Sequence, residues 1–306
     1  MKSQVSRRSF LKKAAIGVGM MAGAETLEGK KKKVQGLPTI RLGKNEVSRL
    51  IIGANPMAGY SHLNALMSKH MVQWYTTDQI CKVLERCLEV GINTWQSNSQ
   101  QTMLEALAEF RKRGNDIQWI CLADNDVISS SKKLESIVKT HKPLAVVHHG
   151  GVSDMLWRSG KIDRARDFVK RVRDLGPMAG VSSHNPEVIQ HVEDAGWDVD
   201  LYMTCFYQVT RTQQQLKERM GSVPLGEVYL PEDPALMCEV VRQVKRPCLG
   251  FKILAAGRQC ENPNQVREAF RFAYGHIKPR DGVIVGMYPR YRDQVAENAG
   301  YAAAFG

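Results

Sequence analysis

From residue 37 onward, two rhythms of apolar and polar positions alternate along the chain. Short apolar runs of β-type composition lie at 50–54, 92–96, 117–123, 144–148, 178–182, 199–204, 248–253 and 282–286. Runs of this length rich in Val, Ile and Cys read as strands buried on both faces. Between them, apolar residues recur at helical spacing. Over 78–90, for example, Ile80, Val83, Leu84, Cys87 and Leu88 share one face. Similar patterns cover 102–113, 161–175, 185–195, 234–244, 263–274 and 290–302, and the fifth-strand helix opens with Asn185 as cap and Pro186 at its first position. Eight strands alternating with helices predict parallel pairing and closure into a (β/α)8 TIM barrel. The one long irregular stretch, 207–233, follows the sixth strand. It is expected to cover the barrel mouth, with one helix near 212–220.

The first residues do not belong to this pattern. Ser6-Arg7-Arg8-Ser9-Phe10-Leu11-Lys12, an apolar run from Ala14 to Met21 and then Ala22-Gly23-Ala24 have the form of a twin-arginine signal peptide. This divides the chain into a signal at 1–24, a Lys-rich linker at 25–36 and a barrel at 37–306. It predicts export through the twin-arginine machinery to a periplasmic or other extracytoplasmic location, with no integral membrane segment in the mature chain. The formal charge is +12, of which Lys2, Arg7, Arg8, Lys12 and Lys13 leave with the signal. Lys30 to Lys33 carry no interleaved aromatic or Arg residues, so they read as a solvated linker, and no nucleic-acid partner is expected. Seven cysteines, an odd number with no Cys-x-x-Cys pair, read as small core residues more than as a disulfide framework.

Several segments, in order, resemble the aldo/keto reductases. Ile40-Arg41-Leu42-Gly43 and Val47-Ser48-Arg49-Leu50 resemble that family's opening β-hairpin and first strand. Gly180-Val181-Ser182-Ser183-His184 resembles its fifth strand, Leu254-Ala255-Ala256-Gly257 the turn after its seventh, and Val283-Ile284-Val285-Gly286 with Gln294, Val295, Glu297 and Asn298 its last strand and helix. The resemblance implies an N-terminal hairpin, an oxidoreductase acting on a small carbonyl or sugar, and NADP(H) as cofactor. It implies His148 as the active-site histidine that closes the fourth strand. The rest of the family's tetrad is missing. Gln96 stands in place of its Asp with no Tyr following, and Ala123 or Asp124 in place of its Lys. The Tyr hydroxyl is the family's proton donor, its acidity set by the Lys, so ordinary carbonyl reduction lacks its acid here. For the cofactor the resemblance points to Ser182, Ser183 and Phe251 at the nicotinamide. It points to Gly286, Arg290, Arg292 and Asn298 at the phosphates, which would rest on the last helix's N-terminus.

Independently of ancestry, polar residues at the C-terminal ends of barrel strands converge on one pocket. His148, Lys252 and Asp124 are therefore the candidates for catalysis; an ideal strand turns His149 to the opposite side from His148. Lys252 can pair with Asp124 across the mouth, act as a base, form a Schiff base, or merely neutralise an anion. Asn55, Gln96, Asn98, His184 and Tyr207 are the candidates for binding a small oxygen-rich substrate. His62, His148, His149, His184 and Cys205 carry no metal-ligand spacing, and no metal is expected. The favoured function is a divergent NADP(H) oxidoreductase; the alternatives are a non-redox lyase, hydratase or isomerase using His148 with Lys252 or Asp124, and a non-catalytic binding barrel.

Overall fold

The computed structural model describes residues 36–306; the expected signal peptide at 1–24 and nearly all of the expected linker at 25–36 lie outside the described residues. The chain opens with an antiparallel hairpin, β1 (Thr39–Leu42) and β2 (Asn45–Ser48). Gly43, at φ +58°, takes the first position of its two-residue turn, where a side chain would be strained. Eight parallel strands then close a barrel: β3 (Leu50–Gly53), β4 (Thr94–Asn98), β5 (Gln118–Ala123), β6 (Ala145–His148), β7 (Met178–Ser183), β8 (Leu201–Cys205), β9 (Cys248–Phe251) and β10 (Gly282–Gly286). β10 pairs back onto β3, Val283 opposite Leu50, so no edge is left open. A (β/α)8 barrel with an N-terminal hairpin is therefore the architecture.

The helices run α1 (Ala65–Trp74), α2 (Thr77–Glu89), α3 (Gln101–Lys112), α4 (Asn125–Ser129), α5 (Ser131–His141), α6 (Gly150–Arg158), α7 (Asp163–Asp174), α8 (Pro186–Asp194), α9 (Gln213–Met220), α10 (Asp233–Gln243), α11 (Pro263–His276) and α12 (Gln294–Phe305). Asn185 caps α8 by accepting from the Glu187 N–H, ahead of Pro186. The expected helix at 212–220 is α9, closed by a capping box between Thr212 and Gln215. The last helix begins later than its apolar pattern suggested. Asp293 accepts from Ala296 N and sets the start at Gln294, leaving Arg290 and Arg292 in the preceding loop. Among the described residues no helix is long and apolar enough to cross a membrane.

Two apolar layers hold the barrel together. Its interior is filled by Ile51, Ile120, Ala145, Val147, Leu201, Met203, Leu249 and Ile284, and the hairpin residues Ile40, Leu42 and Val47 join this cluster. Their strand neighbours, such as Ile52, Trp95, Cys121, Val146 and Tyr202, face outward and pack in the shell beneath the helices. Alternation with period two thus decides, strand by strand, which residues reach the mouth. All seven cysteines are free, and six of them are buried.

Candidate functional site

The alternation places Asn55, Gln96, Asn98, Asp124, His149, Ser182 and His184 on the inner face at the C-terminal end of the barrel. There they line a chamber of about 620 Å³. A groove of about 400 Å³ opens beside it, between the loops that follow β9 and β10. Asn55, Tyr60, His62, Gln96, Phe251 and Lys252 line both spaces.

His184 is held by the most complete polar network at the mouth. Its Nδ1 lies 2.8 Å from an Asp154 carboxylate oxygen. Asp154, on α6, is 1 % exposed and also accepts from Thr210 Oγ1 at 3.0 Å and from Ser183 Oγ. Burial alone raises a carboxyl pKa. Here the hydrogen bonds from His184, Ser183 and Thr210 outweigh burial and hold Asp154 below the usual range, as a carboxylate. A carboxylate only accepts, so Nδ1 of His184 carries the hydrogen, and in the neutral form of the ring Nε2 is the nitrogen with the free lone pair. The ring lies edge-on to Phe251 with centroids 5.5 Å apart. Gly150 makes room for this cluster: a Cβ there would come within 2.9 Å of Ser182 Oγ and 3.1 Å of the His184 ring.

His149 stands on the same wall, its Nδ1 buried without a partner. Burial, and secondarily the charge of His184, lowers its pKa; Asp124 and Asp154 oppose the shift. Asp124 accepts from Ser99 N at 3.0 Å and Ser99 Oγ at 2.8 Å. From the long loop, Glu227 reaches over the mouth. It accepts from Tyr229 at 2.7 Å and from His62 Nδ1 at 2.8 Å, while Asn55 Nδ2 lies 3.2 Å from the other nitrogen of His62. Burial pushes Glu227 up, but the hydrogen bonds from His62 and Tyr229 prevail and bring it down to about 2. The loop itself is pinned by Arg211, which donates to both oxygens of Asp233, with the two side chains 3 % and 2 % exposed.

Lys252 follows the last residue of β9 in the left-handed region, at φ +59°. Regular alternation would turn it outward, since Leu249 and Phe251 pack with the barrel interior. The left-handed turn brings it instead to the wall shared by chamber and groove. Its Nζ is buried without a hydrogen-bond partner among the described residues. Of the alternatives open to Lys252, the pair with Asp124 does not form.

Four expected positions need correction. His148 is fully buried and points outward into the helical shell, because Ala145 and Val147 take the inner face of β6 and the alternation then gives the mouth to His149. Its Nδ1 lies 2.8 Å from Ser153 Oγ, its ring meets Phe168 edge-on at 5.4 Å, and its Nε2 has no partner. Burial pushes its pKa down to about 3. Ser183 also faces outward and is used by Asp154 and Asn185. Tyr207 packs on Tyr229 and lines a separate cleft with Phe206 and Gln259. Arg290 lies outside the groove wall, against His70 at 2.9 Å. The sequence reading missed Asp154 and Glu227, and it named His149 as a strand-end residue but turned it to the side opposite His148. For Asp154 the signal was present: an acid on the helix face shared with Gly150 and Ser153, one strand before a histidine at a strand end.

Phe251, Gly286, Arg292 and Asn298 do line the groove. Its phosphate end does not fit a dinucleotide diphosphate. Asp293 already caps α12 and accepts from Arg86, Arg292 pairs with Glu297 at 3.2 Å, and Gln294 accepts from Tyr288 N. A carboxylate therefore already sits at the helix start, and its charge disfavours a second anion there. No group of three or more His, Cys, Asp or Glu among the described residues is placed to hold a metal ion.

No protein-family model and no curated protein matches the sequence. Among solved structures the chain is similar to a glycerol dehydrogenase from Gluconobacter oxydans, with 12 % identity, a TM-score of 0.52 and coverage of 88 % of this chain and 90 % of that one. It is also similar to an aldo/keto reductase from Brucella melitensis, at 13 % identity and a TM-score of 0.46 over 86 % and 92 % of the two chains. A truncated 3-deoxy-D-arabino-heptulosonate 7-phosphate synthase from Thermotoga maritima matches at 12 % identity and a TM-score of 0.48 over 87 % and 90 %. At these identities the likeness is one of barrel fold alone.

Proposed function

We propose that the barrel is an acid–base enzyme acting on a small carbonyl or sugar compound, with His184 as the proton-transferring group and Asp154 as its positioning partner. The observation that carries this reading is the His184–Asp154 pair on the chamber wall: a buried carboxylate fixes one ring nitrogen and leaves the other as a base facing the cavity. His149 and Asp124 line the same chamber, and Gln96, Asn55 and Asn98 offer amides that both donate and accept to hydroxyls. His184 takes the role the sequence gave to His148. The class of reaction is a non-redox isomerisation, hydration or elimination next to a carbonyl.

The test is exchange of α-hydrogens of hydroxycarbonyl compounds, dihydroxyacetone among them, in D2O followed by NMR. The His184→Gln variant is expected to lose the exchange while remaining folded; exchange at the wild-type rate in that variant would overturn the assignment. A second reading, NADP(H)-dependent carbonyl reduction with His184 as the proton donor, is favoured by the groove that joins the chamber at Phe251 and Lys252. The acidic cap of α12 stands against it. Saturable quenching of Trp fluorescence by NADPH decides for it, and absence of quenching leaves the non-redox reading. The Arg7-Arg8 leader supports an exported protein; retention of an Arg7→Lys, Arg8→Lys variant in the cytoplasm is the expected result on cell fractionation.

A further inference from the structure

We propose that Lys252 is an imine-forming lysine: its Nζ adds to the carbonyl carbon of an aldehyde or ketone held in the chamber and carries it as a protonated imine. The proposal rests on the acid–base reading of His184 and deepens it by naming the electron sink and restricting the substrate to compounds with a free carbonyl.

Three features of the geometry support it. The backbone at Lys252 adopts a left-handed conformation that is unfavourable for a non-glycine residue, and it breaks the strand alternation so that the side chain reaches the wall between chamber and groove. Its carbonyl accepts from Ala255 N at 2.8 Å, which helps hold this turn. The amine, once there, is buried and unpartnered. Lys278, another lysine with a largely buried side chain, is by contrast fully engaged by Asp281 and the Val241 carbonyl. The acid nearest in electrostatic effect, Glu227, is already occupied by His62 and Tyr229. A buried amine with no counter-ion bonded to it is a poor structural element and a good nucleophile.

Desolvation lowers the Lys252 pKa, with Arg258 adding to the shift and Cys205 and Glu227 opposing it, so more of the amine is neutral near pH 7 than on the surface. In the reaction the Nζ lone pair forms the C–N bond, and the carbonyl π pair moves to oxygen, which takes up a proton. The nitrogen gives up one of its own protons. Protonation of the resulting hydroxyl and its departure as water leaves C=N⁺, with no oxidant or reductant involved. The imine draws electrons from the adjacent C–H bond, whose proton passes to His184 Nε2, giving an enamine.

The experiment is reductive trapping of the full chain at pH 7 with sodium cyanoborohydride and, separately, dihydroxyacetone and pyruvate, followed by digestion and mass spectrometry. With at least one of the two carbonyls, Lys252 is expected to be alkylated at least about tenfold faster than any exposed lysine. Lys252→Met and Lys252→Arg should both lose that fast adduct and the α-hydrogen exchange, with circular dichroism unchanged. In His184→Gln the adduct should still form while exchange is lost. Labelling spread over surface lysines with no preference for Lys252 from either probe overturns the proposal, as does exchange at the wild-type rate in folded Lys252→Met. If His184→Gln loses exchange and Lys252 is not labelled, the imine fails and the acid–base reading stands. If Lys252 is labelled and His184→Gln keeps its exchange, the reading of His184 fails and the amine assignment stands.

Discussion

The outward orientation of His148 makes a prediction that needs no knowledge of the substrate. His148→Phe keeps the ring and its contact with Phe168, removes the unpartnered Nε2, and loses the contact with Ser153, whose hydroxyl retains the His149 carbonyl as acceptor at 3.2 Å. At pH 7 the lost hydrogen bond costs about 1 kcal/mol, offset in part by relief of the buried orphan nitrogen. At lower pH the balance reverses. Folding takes the His148 pKa from 6.5 down to about 3, so between those values the unfolded chain binds a proton that the folded chain refuses. Stability from the neutral ring is complete above pH 6.5 and is lost as pH falls toward 3, the direction required when the unfolded state holds more protons. At about 1.4 kcal/mol per pH unit, the loss between pH 7 and pH 4 amounts to ~3 kcal/mol. The phenylalanine variant escapes this loss. Urea unfolding at several pH values should give curves that cross: the wild type equal or slightly more stable at pH 7, the variant more stable by a few kcal/mol at pH 4. Parallel pH profiles would refute the buried, outward placement, and so would a folded His148→Phe protein that has lost α-hydrogen exchange.

Asp154→Asn should leave the barrel folded but present an N–H where His184 Nδ1 now donates, forcing the other tautomer. ¹⁵N NMR of the imidazole should then show the proton on Nε2, and α-hydrogen exchange should fall by up to about 10⁴-fold, the size of effect known for a wrong histidine tautomer. Arg211→Ala leaves the 2 %-exposed Asp233 carboxylate uncompensated in the mouth loop. A loss of about 3–5 kcal/mol in urea unfolding is expected, and a loss under 1 kcal/mol would show that the loop is not anchored there. Gly250→Ala would put a methyl 2.7 Å from the Phe206 ring and should cost about 1–3 kcal/mol in thermal or urea unfolding, with the chamber residues undisturbed.

Much of the scaffold was legible in the residue pattern because strands buried on both faces and one-sided helices leave strong local signals. The alternation gave the barrel, and Asn185-Pro186 marked one helix start through a bond made within two residues of the cap. Site residues were legible only where a strand's register could be counted correctly. Gln96, Asn98, Asp124 and His184 were placed at the mouth correctly; His148 was placed there wrongly, since the choice between it and His149 depends on which of two adjacent apolar residues enters the barrel interior. A single residue of register exchanges a proton carrier for a core histidine.

The tertiary structure alone decided the rest. Asp154 meets His184 from thirty positions away in sequence, and Glu227 reaches His62 across 165. Those pairings are set by barrel closure and by the path of a long loop, neither of which local composition encodes. Lys252 reaches the mouth only because its backbone leaves the β region for φ +59°, a conformation stabilised by the strands around it and invisible in a residue with no such preference of its own. The sequence by itself determined the eightfold alternation and the set of polar residues near the strand ends, because those follow from short-range periodicity; the hairpin was implied only by the resemblance of residues 40–50. Which of them face one another, and with what protonation, was decided by burial and closure, which bring distant charges into a common low-dielectric space.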